Sequence, residues 1–133
     1  MWSVLGRYRD FGLLVLRLGV GVMFLFHGWP KLMGGPVKWE ALGTAMGYLG
    51  VHVIPVFWGL MAALSEFFGG VCLILGVVFR PACLLLLGTM AVAATMHLQR
   101  GDGLQVASHA IELGFVFFGL LFVGPGRLGF GRG

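Results

Sequence analysis

Charge is the scarcest property of this 133-residue chain. Only 11% of its residues are charged, whereas an ordinary soluble domain carries about 25%. By contrast, 59% of the residues are hydrophobic. The composition excludes an ordinary water-soluble domain and indicates an integral membrane protein, with the lipid bilayer as its first partner.

Cysteines and organised basic clusters are also lacking. Cys72 and Cys83 form no C-x-x-C motif, which argues against thiol-disulfide exchange by this chain alone. The nine Lys and Arg residues outnumber the five Asp and Glu residues, but they are scattered over segment ends and form no stripe. No nucleic-acid partner is therefore expected.

Four apolar stretches are long enough to cross a bilayer, which requires about 17 to 25 helical residues. They cover residues 11–30, 56–79, 81–98 and 106–123. Each is predicted to be a helix, because a single spanning segment must satisfy its backbone hydrogen bonds internally. The fold prediction is an all-α membrane protein, with one four-helix transmembrane bundle over residues 1–133 and no separate soluble domain.

The connecting segments complete this prediction. Residues 39–49 mix aromatic and apolar residues with Glu40 and are predicted to form a short interfacial helix between the first and second spans. Phe79-Arg80-Pro81 is predicted to be a tight turn, since proline disfavours helix before it. The glycine-rich tail, residues 124–133, is predicted to be loose. Small residues let membrane helices approach closely, so six glycines are predicted at helix contacts: Gly19, Gly21, Gly69, Gly70, Gly114 and Gly119.

Basic residues set the expected orientation. If both termini are cytoplasmic, the inside carries more basic residues than the outside, which satisfies the positive-inside bias. The inside set is Arg7, Arg9, Arg80, Arg127 and Arg132, and the outside set is Lys31, Lys38 and Arg100. We therefore expect both termini in the cytoplasm.

Ionisable side chains interrupt the apolar stretches, and charge in hydrocarbon normally faces a protein interior and finds a partner. Counting the helical rise places Arg17 and Glu66 at depths that differ by about 6 Å. An arginine side chain can cover that distance. An Arg17–Glu66 ion pair is therefore predicted.

Other ionisable residues are predicted to converge on one polar pocket that opens outward. The same count places His27, His97 and His109 within about 5 Å of the outer boundary, and Glu112 about 9 Å below it. His27 lies on the same arc of the first helix as Lys31, and His109 and Glu112 share a face because they are three residues apart. The predicted lining is Lys31, His97, His109 and Glu112, with Glu66 and Arg17 as the floor.

The ionisable residues in and near the spans could also have purely structural roles. Arg17 and Glu66 could only fix helix register, and Lys31 and His97 could be boundary residues that reach lipid headgroups. A metal site is not predicted, because a carboxylate-bridged di-iron bundle needs two Glu-x-x-His sequences and here one reversed His-Ala-Ile-Glu sequence stands alone. Haem held by His109 and a second histidine is a weaker alternative.

Several short motifs follow one another along the chain. They are Arg17 in the first span, its ending His27-Gly28-Trp29-Pro30-Lys31, then Glu66-Phe67-Phe68-Gly69-Gly70, Leu75-Gly76-Val77-Val78-Phe79-Arg80, and Glu112 in the last span. In this order the motifs resemble the DoxX family of small bacterial membrane proteins, over nearly the whole chain. The resemblance implies a four-helix protein of the bacterial cytoplasmic (inner) membrane, with Arg17, Lys31, Glu66, Arg80 and Glu112 as motif residues.

Similarity to the small subunit of thiosulfate:quinone oxidoreductase implies a link to quinone and sulfur redox chemistry. The expected function is therefore a quinone-linked subunit of a membrane oxidoreductase complex, in which histidine, carboxylate and lysine groups deliver protons to quinone oxygens. The candidate catalytic residues are Glu112, His109 and Glu66, and the candidate quinone-binding residues are Arg17, Lys31, His27 and His97. Two alternatives stay open: a non-catalytic membrane scaffold and a small-anion transporter. Small-residue surface left towards lipid predicts a homo-oligomer or a partner subunit.

Overall fold

The computed structural model describes residues 2–131, and nearly all of this range is helical. Four helices are long and apolar enough to cross a membrane. They are α1 (Arg9–Met33), α3 (Pro55–Leu75), α4 (Phe79–Gln99) and α5 (Leu104–Val123), while the short α2 (Gly35–Gly43) lies between the first two. Two 3-10 segments cover Trp2–Tyr8 and Thr44–Leu49. Residues 2–131 contain no strand, so the predicted all-α architecture with four spans and a short helix after the first is confirmed.

Helix α1 is longer than the predicted first span. Its 25 residues extend about 37 Å, more than the hydrocarbon thickness of about 30 Å. Pro30 lies in the last part of the helix, where its missing N–H removes one hydrogen bond without ending the helix. The helix therefore carries Lys31 on a regular backbone.

The turn between α3 and α4 falls earlier in the chain than predicted. Gly76 has a φ of +70°, and its N–H closes the last turn of α3 with an N···O distance of 2.8 Å. Glycine adopts this left-handed conformation without a Cβ penalty, so α3 ends at Leu75 rather than at residue 79. The predicted Phe79-Arg80-Pro81 turn is wrong, because these residues form the first turn of α4, where a proline is tolerated.

The four spanning helices surround one common core, and α1 and α5 are the pair whose backbones lie farthest apart among neighbours. Helix α1 packs on α3, α3 on α4, and α4 on α5, but no Cα atom of α1 lies within 8 Å of a Cα atom of α5. The rings of Phe24 and Phe117 bridge these two helices, with 5.3 Å between their centroids. The core includes Leu73, Phe79, Cys83, Leu86 and Phe117.

Glycines set the closest contact between α1 and α3. A Cβ on Gly21 would lie 2.9 Å from the carbonyl oxygen of Gly70, and a Cβ on Gly70 would lie 2.8 Å from that of Gly21. Gly69 packs equally closely on α4. These three glycines lie at helix contacts as predicted. Gly19 and Gly119 face open space, so the prediction is wrong for them.

Helix α2 is held against the start of α3 by two more glycines. A Cβ on Gly43 would overlap the carbonyl oxygen of Pro55, and a Cβ on Gly59 would overlap that of Trp39. The indole N–H of Trp39 also donates to the carbonyl oxygen of Lys31 at 3.0 Å. The short helix therefore packs where α1 ends and α3 begins. We call this end of the bundle the Lys31 end, and the opposite end, where α1 begins and α5 ends, the termini end.

Candidate functional site

A buried ion pair joins α1 to α3. Lys31 Nζ lies 2.9 Å from each carboxylate oxygen of Glu66. The Glu66 side chain is only 5% exposed, and the Lys31 side chain is 31% exposed. A buried carboxylate without a partner is costly, so this double hydrogen bond offsets much of the desolvation of Glu66.

Gly28 brings Lys31 within reach of Glu66. It precedes Lys31 by three residues and is buried against α3, where a Cβ would lie 2.7 Å from the backbone nitrogen of Phe67. Small residues permit such close approach of membrane helices. The missing side chain therefore sets the helix spacing at which the ammonium meets the carboxylate.

Arg17, the predicted partner of Glu66, lies at the termini end and forms no ion pair within the described residues. Its buried guanidinium donates to backbone carbonyl oxygens, two at the end of α3 and two in the C-terminal segment. These belong to Leu73 (2.9 Å), Ile74 (3.1 Å), Pro125 (3.1 Å) and Leu128. The last carbonyls of a helix lack intrahelical partners and carry partial negative charge, so they attract a cation. The predicted Arg17–Glu66 pair is therefore wrong, and Arg17 is a structural cap far from the pocket.

Two further arginines act on the end of α5. Arg80 Nε donates to the carbonyl of Leu121 at 2.8 Å, and Arg9 Nη2 donates to the last carbonyl of the helix at 3.2 Å. The C-terminal segment folds over this end, since the Phe130 N–H donates to the carbonyl of Leu75 at 2.9 Å. Residues up to 131 are thus held against the bundle, which corrects the expectation of a loose tail. The last two residues of the predicted tail lie outside the described range.

A cavity of about 240 Å³ lies beside the ion pair and is lined by residues of α1, α3, α4 and α5. Its polar lining consists of His27, Lys31, Glu66, His97 and His109. The rings of His27 and His109 are 6.5 Å apart between centroids, across the gap between α1 and α5. The structure therefore brings together every predicted site residue except Arg17 and Glu112. We call this space the histidine cavity.

Glu112 lies outside the histidine cavity. Its side chain is exposed and forms no hydrogen bond or ion pair within the described part of the chain. Helix α5 buries Ala110 and Phe117 against the bundle, and Glu112 lies on its opposite, exposed face. His109 reaches the cavity mouth while Glu112 does not, and the predicted place of Glu112 in the pocket lining is wrong.

Sequence reasoning missed a cluster centred on Asp102. Its Oδ2 accepts from His97 Nδ1 at 2.8 Å and from Arg100 Nε and Nη2 at 2.9 and 2.7 Å. Hydrogen bonds from Arg100 and then from His97 lower the pKa of Asp102 below its ordinary value. With Nδ1 engaged, the other ring nitrogen of His97, Nε2, has no partner among the described residues, and the residue lines the cavity. The sequence signal for this cluster is that Asp102 is flanked by Gly101 and Gly103. In the structure both glycines have positive φ values, which turn the loop back towards His97.

A larger cavity of about 660 Å³ adjoins the ion pair from the side of α2. It is a groove between α3 and α4 with mostly apolar walls, and we call it the α3–α4 groove. Four residues, Lys31, Glu66, Ala93 and His97, line both this groove and the histidine cavity. The ion pair therefore stands between the two spaces.

The DoxX family model matches residues 12–99, which is 88 of the 133 residues. The chain belongs to the DoxX family. The matched range runs from the first turns of α1 to the end of α4, and so it contains both members of the Lys31–Glu66 pair as well as Arg17 and His97.

Relatives of this DoxX protein are bacterial. It is 28% identical to inner membrane protein YphA of Escherichia coli, over 95% of this chain and 96% of that protein. It is also 28% identical to inner membrane protein YqjF of E. coli, over 95% of this chain and 94% of that protein. The chain is also 34% identical to an uncharacterized protein of Haemophilus influenzae, over 67% of this chain and 60% of that protein. No solved structure matches. With its four spans, this DoxX protein is a multi-pass protein of the bacterial inner membrane.

Neither cysteine of this DoxX protein lines the histidine cavity. Within residues 2–131, no three His, Cys, Asp or Glu side chains are grouped so that they could hold a metal ion. Cys72 and Cys83 are free thiols, and Cys83 is fully buried. The residues around the histidine cavity themselves offer hydrogen bonding and proton transfer.

Proposed function

We propose that this DoxX protein binds a quinone beside the Lys31–Glu66 pair and serves as the quinone-linked subunit of a membrane oxidoreductase complex. The buried ion pair, on the wall of a cavity whose other polar groups are imidazoles, supports this proposal. A bound quinone supplies two-electron chemistry there, with electrons from a partner redox subunit and protons from water. The structural task of this chain is to bind the ring, admit it from the lipid and pass protons to it.

Donors on the cavity wall suit the carbonyl oxygens of a quinone ring. An ammonium has three N–H donors, and Lys31 directs at most two of them at the Glu66 oxygens, so one remains for a ligand. The imidazoles of His27 and His109 add donors at the mouth. Ligand pockets usually measure about 300 to 1,000 Å³. At about 240 Å³, the histidine cavity therefore suits a ring rather than a whole prenylated molecule.

The gap between α1 and α5 gives a lipophilic ligand a lateral route. Side chains rather than close backbone packing join these helices, with the buried rings of Phe24 and Phe117 in contact below the mouth of the cavity. His27 and His109 are both exposed at the opening. A prenyl tail can therefore remain in the lipid between the helices while the ring reaches the ion pair.

His97 connects the cavity with water at the Lys31 end. Its partner Asp102 is 25% exposed and lies in the loop between α4 and α5, so the pair can exchange protons with solvent. The carboxylate fixes the orientation of the imidazole with Nδ1–H towards Asp102. When the ring is protonated, Nε2–H would donate its proton to a ring oxygen and leave the neutral Nδ1–H imidazole. With both termini in the cytoplasm, as the basic residues predict, this exchange takes place at the outer face of the membrane.

Equilibrium binding of a tritiated short-chain quinone to the purified, quinone-free protein tests the proposal. We expect saturable binding at one site per chain. Glu66→Gln should weaken quinone binding by about tenfold or more. The substitution removes the charged acceptor that holds the Lys31 ammonium at the binding site. Glu112→Gln is the matched control, since it makes the same change in another membrane-spanning helix outside the cavity, and it should bind like the wild type.

A Lys31→Met/Glu66→Leu double variant separates folding from binding. It removes both charges together, and replacing a buried ion pair by apolar residues is often neutral for stability. We expect this variant to fold and not to bind. Lack of saturable binding by the wild type, or an equal loss in Glu112→Gln, would contradict the quinone proposal and favour a non-catalytic scaffold in which the pair only fixes helix packing.

A further inference from the structure

The α3–α4 groove runs from the Lys31 end towards the middle of the membrane. Along α4 its lining extends from Leu84 through Gly88 and Met96 to Arg100. The apolar part, from Leu84 to Met96, is about 18 Å long at the helical rise of 1.5 Å per residue. One leaflet of the hydrocarbon core is about 15 Å deep. The groove therefore has the length of a single acyl chain.

The groove is open to lipid along its side. Leu84 is 60% exposed, and Gly88 is exposed as well. An acyl chain can therefore enter laterally, while a second chain of the same lipid stays in the surrounding bilayer. Met46, Met61 and Met96 line the groove, and their flexible thioethers adapt to an irregular hydrocarbon chain.

Cationic side chains lie at the end of the groove nearest the membrane surface. Lys31, Lys38 and Arg100 line it, together with the carboxylate of Glu66. Lys31 is engaged by Glu66, but Lys38 is exposed and forms no hydrogen bond or ion pair with any described residue. Arg100 gives Nε and Nη2 to Asp102, which leaves Nη1 for another acceptor. The surface end of the groove thus carries N–H donors of Lys38 and Arg100 that no described protein acceptor engages.

We propose that an anionic phospholipid occupies the α3–α4 groove, with its phosphate at Lys38 and Arg100 and one acyl chain along α4. Basic side chains at the membrane surface attract anionic headgroups, and the apolar walls supply the contact area for the chain. An uncharged lipid or a prenyl tail would leave Lys38 without a counter-charge. Lys31, Glu66 and His97 also line the groove, so the lipid completes the far wall of the proposed quinone site, but its binding does not rest on that proposal.

Native mass spectrometry of the full chain tests this inference. The protein is released from nanodiscs of phosphatidylcholine that contain graded fractions of phosphatidylglycerol. We expect one phosphatidylglycerol to be retained in preference to phosphatidylcholine. Lys38→Ala and Arg100→Gln should each weaken its retention by about fivefold, the value expected for one basic residue near an anionic headgroup.

A pair of glycine variants locates the bound lipid. A Cβ on Gly88 would meet no atom within 4 Å, and Gly88 lines the groove, so the side chain in Gly88→Leu starts without a clash and occupies part of the groove. Gly119 is equally open but lies on α5, away from the groove, so Gly119→Leu is the matched control. Both variants should fold like the wild type, and only Gly88→Leu should lose the lipid.

Four results would overturn the inference. Equal retention of both lipids would show that the headgroup charge is not recognised, and full retention by Gly88→Leu would place the lipid elsewhere. Stoichiometric displacement of phosphatidylglycerol by oleate would make a free long-chain carboxylate the occupant. Displacement by a prenylquinone would assign the groove to the quinone tail.

Discussion

The two ends of the bundle both hold cations in apolar surroundings, but their acceptors differ. At the termini end, Arg17 donates to backbone carbonyl oxygens at the end of α3 and in the C-terminal segment. These hydrogen bonds hold the C-terminal segment against the bundle. At the Lys31 end, Lys31 donates to a carboxylate that lies between two cavities. Helix-end carbonyls need donors in any membrane protein, whereas the fold does not require a carboxylate in its interior. Both cations are in apolar surroundings, so burial does not distinguish them. We distinguish them by the acceptor: a cation on backbone carbonyls has a structural role, and a cation on a buried carboxylate beside a cavity is a candidate functional group.

The largest expected effect follows from removing the cation at the termini end. Arg17→Met leaves several buried carbonyls without donors, and we expect a loss of about 3 to 5 kcal/mol in the free energy of unfolding. Thermal unfolding in detergent measures this loss, with Arg7→Met at an exposed site as the control. The fraction that still folds should bind quinone like the wild type. A stable Arg17→Met protein that has lost quinone binding would show that Arg17 is functional.

Matched glycine variants sharpen the comparison. Gly28→Ala brings a Cβ to 2.7 Å from the Phe67 nitrogen, and Gly76→Ala places one at a φ of +70° and 2.6 Å from Arg17 Nη2. Each should cost about 1 to 3 kcal/mol of stability, as overpacking usually does. Only Gly28→Ala should also weaken quinone binding, because it separates α1 from Glu66. Equal effects on binding would remove the distinction between the two ends.

A double-mutant cycle tests which cation is coupled to Glu66. For Lys31 and Glu66 we expect a coupling free energy of about 1 to 2 kcal/mol, since their charged groups are in contact. For Arg17 and Glu66 the two effects should add within about 0.5 kcal/mol. Denaturation of the single and double variants in the same detergent provides both values. Strong coupling of Arg17 to Glu66 would restore the ion pair that the structure does not contain.

The smallest expected effect concerns pH at the Asp102 loop. Hydrogen bonds from Arg100 and His97 lower the pKa of Asp102, so their stabilisation is present above the unfolded value of about 3.9 and is lost as the pH falls through the lowered folded value. The protection of residues 100–103 against hydrogen exchange, relative to the intrinsic rate at each pH, should therefore fall in acid. Asp102→Asn should exchange fast at every pH. An unchanged acid profile in this variant would mean that the cluster does not hold the loop.

The number and type of spans could be predicted from the sequence, because long apolar runs leave few alternatives in a membrane. The end of α3 could not, since the turn residues after Gly76 are themselves apolar and hide the break. Arg17 was misassigned because depth counting considers side-chain partners, whereas its acceptors are backbone carbonyls that carry no residue-type signal. The position of Glu112 could not be predicted, because a spacing of three residues from His109 does not show which of the two side chains turns towards the bundle.

Photolabelling tests the central claim most directly. A photoreactive short-chain quinone is irradiated with the purified protein, and the labelled residues are mapped by peptide mass spectrometry. We expect labels around the histidine cavity, on α1 near His27, on α4 near Met90 and on α5 near His109, all reduced by unlabelled quinone and much weaker in Glu66→Gln. Labels confined to the outer face around Glu112 or to the termini end, unaffected by Glu66→Gln, would contradict the assignment of the Lys31–Glu66 pair as the binding site.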